Sequence, residues 1–272
     1  MGNDFDLENK VAAITGAAGI LCSTIAKGLA KKGVKVALLD IDFEKAKEVE
    51  NQIKEDGGSA YALEVDVLNR KSITSAADKV LGRYKTIDIL INGAGGNKVE
   101  ATTSKDKLFF DISEDALKWV FDLNLMGTII PCQVFGKIFA ERKKGSIINI
   151  SSMAAFIPLT RTVAYSAAKA AVSNFTNWLA VHMNQEYSPQ IRVNAIAPGF
   201  LLTNQNHYLL IDKKTGCFTE RGKKIIDKTP MARYGKPEEL LGAVIFLCSD
   251  EASFVNGIIL PIDGGFSAYS GV

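Results

Sequence analysis

Short apolar, β-branched runs alternate along the chain with longer stretches whose apolar residues return at helical spacing. KVAAIT (10–15) reads as a strand, followed by a helix over LCSTIAKGLAKKG. VKVALLD (34–40) and SAYALEVDV (59–67) are the next strands, each followed by a helix, EKAKEVENQIKEDG and RKSITSAADKVLGRY. IDILING (87–93), GSIINIS (145–151), IRVNAIAPG (191–199) and NGIILPIDGG (256–265) complete the series. These strands are apolar almost throughout rather than alternating, which is the pattern of strands buried on both faces. Strand, helix, strand at this rhythm predicts an α/β fold: a three-layer, doubly wound parallel sheet of about seven strands with helices on both faces. The alternation does not break, so residues 1–272 are expected to form one domain.

Two stretches leave the rhythm. Residues 94–113 form a long polar connection after the fourth strand, and residues 199–230 follow the sixth. Loops of this length in a compact domain are usually functional. Both leave carboxyl ends of strands, the side on which open α/β sheets bind ligands.

ITGAAGILC (14–22) joins the first strand to its helix. A strand, a small-residue turn (Thr15 to Gly19) and a helix place free backbone N–H groups at a helix start, which is an anion site by geometry and dipole. The turn alone is equally an ordinary βα connection. Its context favours a nucleotide, because Asp40 ends the second strand. A carboxylate there can accept hydrogen bonds from a ribose diol and repels a 2′-phosphate, so NAD is expected over NADP.

Composition narrows the class. The chain is 47% hydrophobic and 23% charged, ordinary for a packed protein. A net charge of +2 gives no electrostatic case for nucleic acid or an anionic membrane. No apolar run reads as long enough to span a bilayer, and the acidic, polar start does not read as a signal peptide. Cys22, Cys132, Cys217 and Cys248 are scattered and read as reduced thiols of a cytoplasmic protein. His182 and His207 lack a carboxylate cluster of ligand spacing, so no metal site is expected. His182 should lie on the long helix 163–183, and His207 near the substrate.

The candidate chemistry begins at YSAAK, Tyr165 to Lys169, opening that helix. Residues four apart share a helix face. A lysine ammonium beside a phenol stabilises the phenolate and lowers its pKa from about 10, which suits proton transfer to a substrate oxygen. Taken alone, the pair is more often a surface contact. NISS, ending at Ser152, closes the fifth strand, where a hydroxyl can donate to a carbonyl oxygen. Asn124 lies in an apolar helical stretch and needs partners for its amide, whether as a functional group or as a helix-bending residue.

TGAAG from Thr15, NGAG from Asn92, FDLN ending at Asn124, NISS ending at Ser152, YSAAK from Tyr165, and Pro198-Gly199 occur in the order of the short-chain dehydrogenase/reductase family. The chain resembles that family over nearly its whole length. The resemblance implies a Rossmann-type fold, a nicotinamide cofactor, and a catalytic tetrad at Asn124, Ser152, Tyr165 and Lys169. It also implies that Gly16, Gly19, Ile20, Asp40, Asp66, Val67, Asn92, Ala94, Tyr165, Lys169, Pro198 and Gly199 line the cofactor site. Tyr165 would donate the proton, Ser152 hold the oxygen, Lys169 bind ribose, and Asn124 hold a relay water. One departure stands out. The family pattern T-G-x-x-x-G-x-G places its second and third glycines on Ile20 and Cys22. Gly19 is then expected to supply the missing backbone freedom, with the Cys22 sulfur packed inside the first helix turn against the sheet.

The two long connections hold many hydrogen-bonding groups, with Asn97, Asn204 and His207 among them, and Arg161 precedes Tyr165 by four residues. Such a lining suits a small-molecule polyol carrying a carboxylate, which an arginine can clamp. Within the family the stretches INGAGGNK, FFDIS, APGFLLTNQN and LPIDGGFSAYSGV resemble the branch of D-mannonate oxidoreductases, or fructuronate reductases. A gluconate 5-dehydrogenase or another keto-sugar-acid reductase is the sister reading. A non-catalytic NAD-binding sensor would have no need of Tyr165, Lys169 and Ser152 together. The resemblance implies a homotetramer, and the apolar faces of helix 163–183 suit a partner subunit.

Overall fold

The computed structural model describes residues 5–203, 210–212 and 216–271. Its centre is a seven-stranded sheet of β1 (Val11–Thr15), β2 (Lys35–Asp40), β3 (Ser59–Glu64), β4 (Ile89–Asn92), β5 (Gly145–Ile150), β6 (Ile191–Pro198) and β7 (Ile259–Ile262). The spatial order is β3-β2-β1-β4-β5-β6-β7, and every neighbouring pair is parallel. Chain direction across the sheet reverses between β1 and β4, so the crevice at their carboxyl ends is the expected ligand position.

Side chains alternate across the sheet to build a core on each face. Ala12, Ile14, Val36 and Leu38 pack with α1 (Ile20–Ala30), α2 (Phe43–Glu55) and α8 (Leu241–Cys248). Val11, Ala13, Ala37 and Leu39 pack with α3 (Arg70–Tyr84), α5 (Gly127–Arg142) and α6 (Val163–Glu186). Phe135 and Phe139 of α5 are fully buried there, each contributing roughly 1.5–3 kcal/mol of burial free energy. Helix starts follow local chemistry: Asp42 accepts from Lys45 N at α2, and Asn69 from Lys71 N and Ser72 N at α3.

Several boundaries differ from the sequence reading. β3 stops at Glu64, and Asp66–Val67 belong to the turn before α3, where Asp66 Oδ1 accepts from Leu68 N at 2.9 Å. β7 is confined to Ile259–Ile262. The connection 199–230 is not all loop, since α7 (Glu220–Asp227) is capped by Thr219, whose hydroxyl accepts from Gly222 N at 3.0 Å. α4 (Glu114–Phe121) runs through a π-turn, Asp122–Met126, into α5. The resulting helix, Glu114–Arg142, is by length and composition apolar enough to cross a bilayer, contrary to the expectation of no such run. Its apolar residues Val120, Cys132, Phe135 and Phe139 are instead buried inside the fold.

Candidate active site

The turn after β1 is held from below and from the side. Gly16 has φ +63°, and a Cβ there would lie 2.7 Å from Ala94 N, so the turn and the β4 end meet backbone to backbone. Thr15 Oγ1 accepts from Gly93 N at 3.1 Å and from Ala94 N at 3.3 Å. Asp40 Oδ2 accepts from Ala18 N at 2.8 Å, and Oδ1 from Asp42 N at 2.9 Å, which fixes the carboxylate beside the turn. Gly19 is the residue just before α1, with φ −67° and ψ 151°. That is ordinary extended backbone, so the expectation that Gly19 supplies the missing freedom is corrected: the left-handed position is Gly16. What Gly19 provides is room, since a Cβ there would stand 3.2 Å from Gly16 O.

Cys22 packs as the sequence reading expected. It is buried, and a Cβ on Gly93 would overlap its Sγ. Burial and the Asp40 carboxylate push the thiol up to about 12, against a smaller pull from Lys169. Beneath this contact runs a buried polar chain that motif reading missed in part. Asn92 Nδ2 donates to Asn149 Oδ1 at 2.8 Å, and Asn149 Nδ2 donates to Thr176 Oγ1 at 2.9 Å. Asn92 and Asn149 are register partners, so the amides tie β4, β5 and α6 at one level.

Gly16, Gly19, Ile20, Gly93, Gly95 and Gly199 are among the walls of an open groove of about 330 Å³. The backbone there is nearly bare of side chains, a turn with free N–H groups opens α1, and an acidic residue closes β2. These features fit a dinucleotide. Gly199 N donates to Ile262 O at 3.0 Å, extending β6 past Pro198 to the groove's far wall.

The π-turn places Asn124 toward β4. Its Nδ2 donates to Gly96 O at 2.7 Å and Val120 O at 2.8 Å, and its Oδ1 accepts from Gly96 N at 3.2 Å. A Cβ on Gly95 would stand 2.7 Å from Asn124 Oδ1 and 3.2 Å from Lys169 Nζ, so both side chains converge there. Lys169 Nζ donates to Ile150 O at 2.8 Å and lies 5.7 Å from the centre of the Tyr165 ring. Ser152 Oγ accepts from Ala154 N at 3.1 Å, and its side chain is near enough to the Tyr165 hydroxyl to act on the phenol's pKa. Asn124, Ser152, Tyr165 and Lys169 therefore gather beside the groove.

The electrostatics differ from the reading of YSAAK. Burial raises the Tyr165 phenol above its usual 10, with the Ser152 hydrogen bond pulling the other way. Lys169 is displaced the other way: burial lowers its ammonium to about 8. The folded chain releases that proton near pH 8, the unfolded chain near 10.5. Between those values the unfolded state binds more protons, so the contribution of Lys169 to stability increases as pH rises through the window. Urea titrations should show wild type gaining on Lys169→Met from pH 8 to 10.5, and a constant gap would refute a buried, proton-shedding lysine.

Among the substrate candidates, Asn97 is exposed and its Nδ2 donates to Thr102 Oγ1 at 3.2 Å, inside its own loop. Arg161, at φ +72°, lies on the wall of a cavity of about 670 Å³ formed by residues 157–161 and α7. Its carbonyl accepts from Thr103 N at 3.1 Å, which ties the loop after β4 to the entry of α6. Asn204 and His207 lie outside the described residues. His182 is on α6, stacked on Trp178 with centroids 4.8 Å apart. Phe200 lines both the groove and the cavity. Arg221 and Lys224, which sequence reading passed over, stand on the α7 wall. Their signal was weak, because α7 is only eight residues long and lies inside a long polar connection.

A family model described as enoyl-(acyl carrier protein) reductase matches residues 16–267. The chain is 49% identical over 278 aligned residues to an uncharacterised oxidoreductase of Haemophilus influenzae, covering 98% of this chain and 96% of that protein. A Haemophilus crystal structure with bound NAD, provisionally described as a D-mannonate oxidoreductase, superposes with TM-score 0.92 at 49% identity, covering 98% of both chains. A structure from Beutenbergia cavernae, provisionally an NAD(P)-dependent gluconate 5-dehydrogenase with NADP at low occupancy, superposes with TM-score 0.85 at 30% identity, over 98% of this chain and 100% of that one.

Proposed function

The chain belongs to the short-chain dehydrogenase/reductase family, and from that premise we propose that it reduces a keto-sugar acid with NADH, interconverting D-fructuronate and D-mannonate. The family is one of NAD(P)-dependent oxidoreductases. We propose one domain over residues 1–272, with 94–113 and 199–230 as its substrate segments, acting in the cytoplasm as a homotetramer. Trp178 and Val181 on α6 are each 56% exposed and suit a subunit contact.

The observation that carries the reading is the meeting of Tyr165, Ser152, Lys169 and Asn124 beside a glycine-walled groove. The turn Gly16–Ile20 would hold the pyrophosphate. Asp40 would take the ribose diol, Asp66 and Val67 the adenine, and Asn92, Ala94, Pro198 and Gly199 the passage to the nicotinamide. When bound, the dinucleotide supplies the hydride. Every other step belongs to the protein. The Ser152 hydroxyl donates to the substrate carbonyl oxygen and steadies the charge that grows on it. Tyr165, kept protonated by burial, delivers the proton to that oxygen. Lys169 orients the ribose and biases the phenol once its proton is shared. Asn124, pinned by the backbone of Gly96 and Val120, positions the water that returns a proton toward Lys169. Arg161 faces the substrate's carboxylate.

Initial rates with NADH and NADPH on D-fructuronate and 5-keto-D-gluconate test this reading. NADH should be preferred by about tenfold or more, since a buried-side carboxylate repels a 2′-phosphate by at least 1.4 kcal/mol or so. D-Fructuronate should be the faster substrate. Turnover of 5-keto-D-gluconate alone would favour the gluconate 5-dehydrogenase reading that the Beutenbergia relative suggests. Inertness toward every keto-sugar acid would overturn both.

A further inference from the structure

The cavity beside Phe200 carries an imbalance of charge. Arg221 and Lys224 on α7, Lys228 just beyond it and Arg161 opposite line it, against a single carboxylate, Asp227. Residues 221, 224 and 228 recur at helical spacing, so their side chains share one face of α7. Like charges at this spacing destabilise a helix unless something answers them. Asp227 is the one carboxylate in the lining, and among the described residues no carboxylate comes within ion-pair distance of Arg221 or Lys224. The ion pair on α7 joins Lys223 to Glu220 at 3.8 Å, and neither of those residues lines the cavity. Lys228 is partly engaged, with Nζ 5.7 Å from the centre of the Tyr269 ring. Among the described residues Arg161, Arg221 and Lys224 form no ion pair, and the three cations outnumber the lone Asp227. The whole chain has a net charge of only +2, so this concentration is a local property of one wall.

The floor is apolar. Leu159 and Ile225 line it, and Phe200 and Phe266 meet edge to face with centroids 5.3 Å apart. Cations around an apolar floor act in a lower dielectric than water, where their attraction for an anion is stronger. Phe200 also walls the groove, so an anion in this cavity sits next to the proposed cofactor site without entering it.

We propose that Arg221 and Lys224, with Arg161 facing them, form the site that recognises the carboxylate of a sugar-acid substrate and so selects it over a neutral sugar. The proposal rests on the keto-sugar-acid reading above. It assigns selectivity to α7, a helix that contributes nothing to hydride or proton transfer. Arg221 supplies a forked, two-pronged partner and Lys224 a compact point charge. Both are exposed at the cavity edge and can be replaced without disturbing the core.

Calorimetric binding of D-mannonate in the presence of NADH, with which the alcohol cannot react, tests the site apart from turnover. Wild type should bind, and binding should weaken as salt rises. Arg221→Met and Lys224→Met should each weaken it by about tenfold, the scale of one lost charge-assisted hydrogen bond. Lys223→Met, the same change on the same helix away from the cavity, should leave it unaltered. No binding by wild type, or equal binding by all variants, overturns the proposal. Binding that follows the expected pattern, with no turnover of D-fructuronate or 5-keto-D-gluconate, would uphold the anion site while removing the reductase assignment.

Discussion

Tyr165→Phe is expected to lower kcat/KM for keto-sugar-acid reduction by about 10²–10⁴-fold, the usual worth of a positioned general acid, while dinucleotide affinity stays near wild type. The phenyl ring keeps the apolar contacts of Tyr165 with the small cluster of Ala101, Ala116, Val120 and Ala164. Only the hydroxyl is lost, and with it the proton that must reach the substrate oxygen. Burial holds the phenol above its ordinary pKa. In the reducing direction that is the useful sign, because the acid stays loaded across the neutral range. The reverse reaction needs the phenolate, and there the charge of Lys169 has to act against burial. That ammonium is itself lowered to about 8, so alcohol oxidation should lose its support as pH rises past that value. Single-turnover rates together with NADH titration by fluorescence separate the two roles. A variant that keeps wild-type rates on every active substrate removes Tyr165 from the mechanism.

The second large effect concerns stability and comes from the family departure at Cys22. Gly93→Ala is expected to destabilise the protein by about 3 kcal/mol, the upper range for forcing a methyl into a packed interior. The new Cβ would collide with Cys22 Sγ, and Thr15 O would stand 3.0 Å away. The Cys22 Cβ, at 3.5 Å, is at ordinary contact distance. Removing the sulfur therefore removes the main clash. Cys22→Ala alone should cost about 1 kcal/mol for the small cavity it leaves. Cys22→Ala combined with Gly93→Ala should be more stable than Gly93→Ala by itself, a coupling that two independent sites would not show. Urea unfolding of the four proteins measures it. Strict additivity would mean that the sulfur does not occupy the space beside Gly93. The same contact explains how the turn after β1 keeps its shape with a thiol where the family pattern has a glycine: Gly93, just past the end of β4, yields the room.

Sequence alone determined a good deal of this protein. Apolar runs buried on both faces, at βαβ rhythm, required a parallel sheet, and the order of motifs from Thr15 to Gly199 required the family. Each local signal, a strand end or a YSAAK helix start, is written within a few residues, so it survives without tertiary knowledge. Tertiary structure decided what depends on two distant segments meeting. Gly16, not Gly19, has the left-handed backbone, and it must be glycine because Ala94, just past β4, leaves no room for a Cβ. Asn124 turns to Gly96 because a π-turn interrupts the helix that carries it. Tyr165 is raised rather than lowered because burial outweighs the opposing hydrogen bond from Ser152. Arg221 and Lys224 drew no notice in the sequence, and only the folding of α7 brings them into one cavity with Arg161. Spacing along a chain fixes which residues share a face of one element; only packing fixes which faces meet, and charge is felt through that second arrangement.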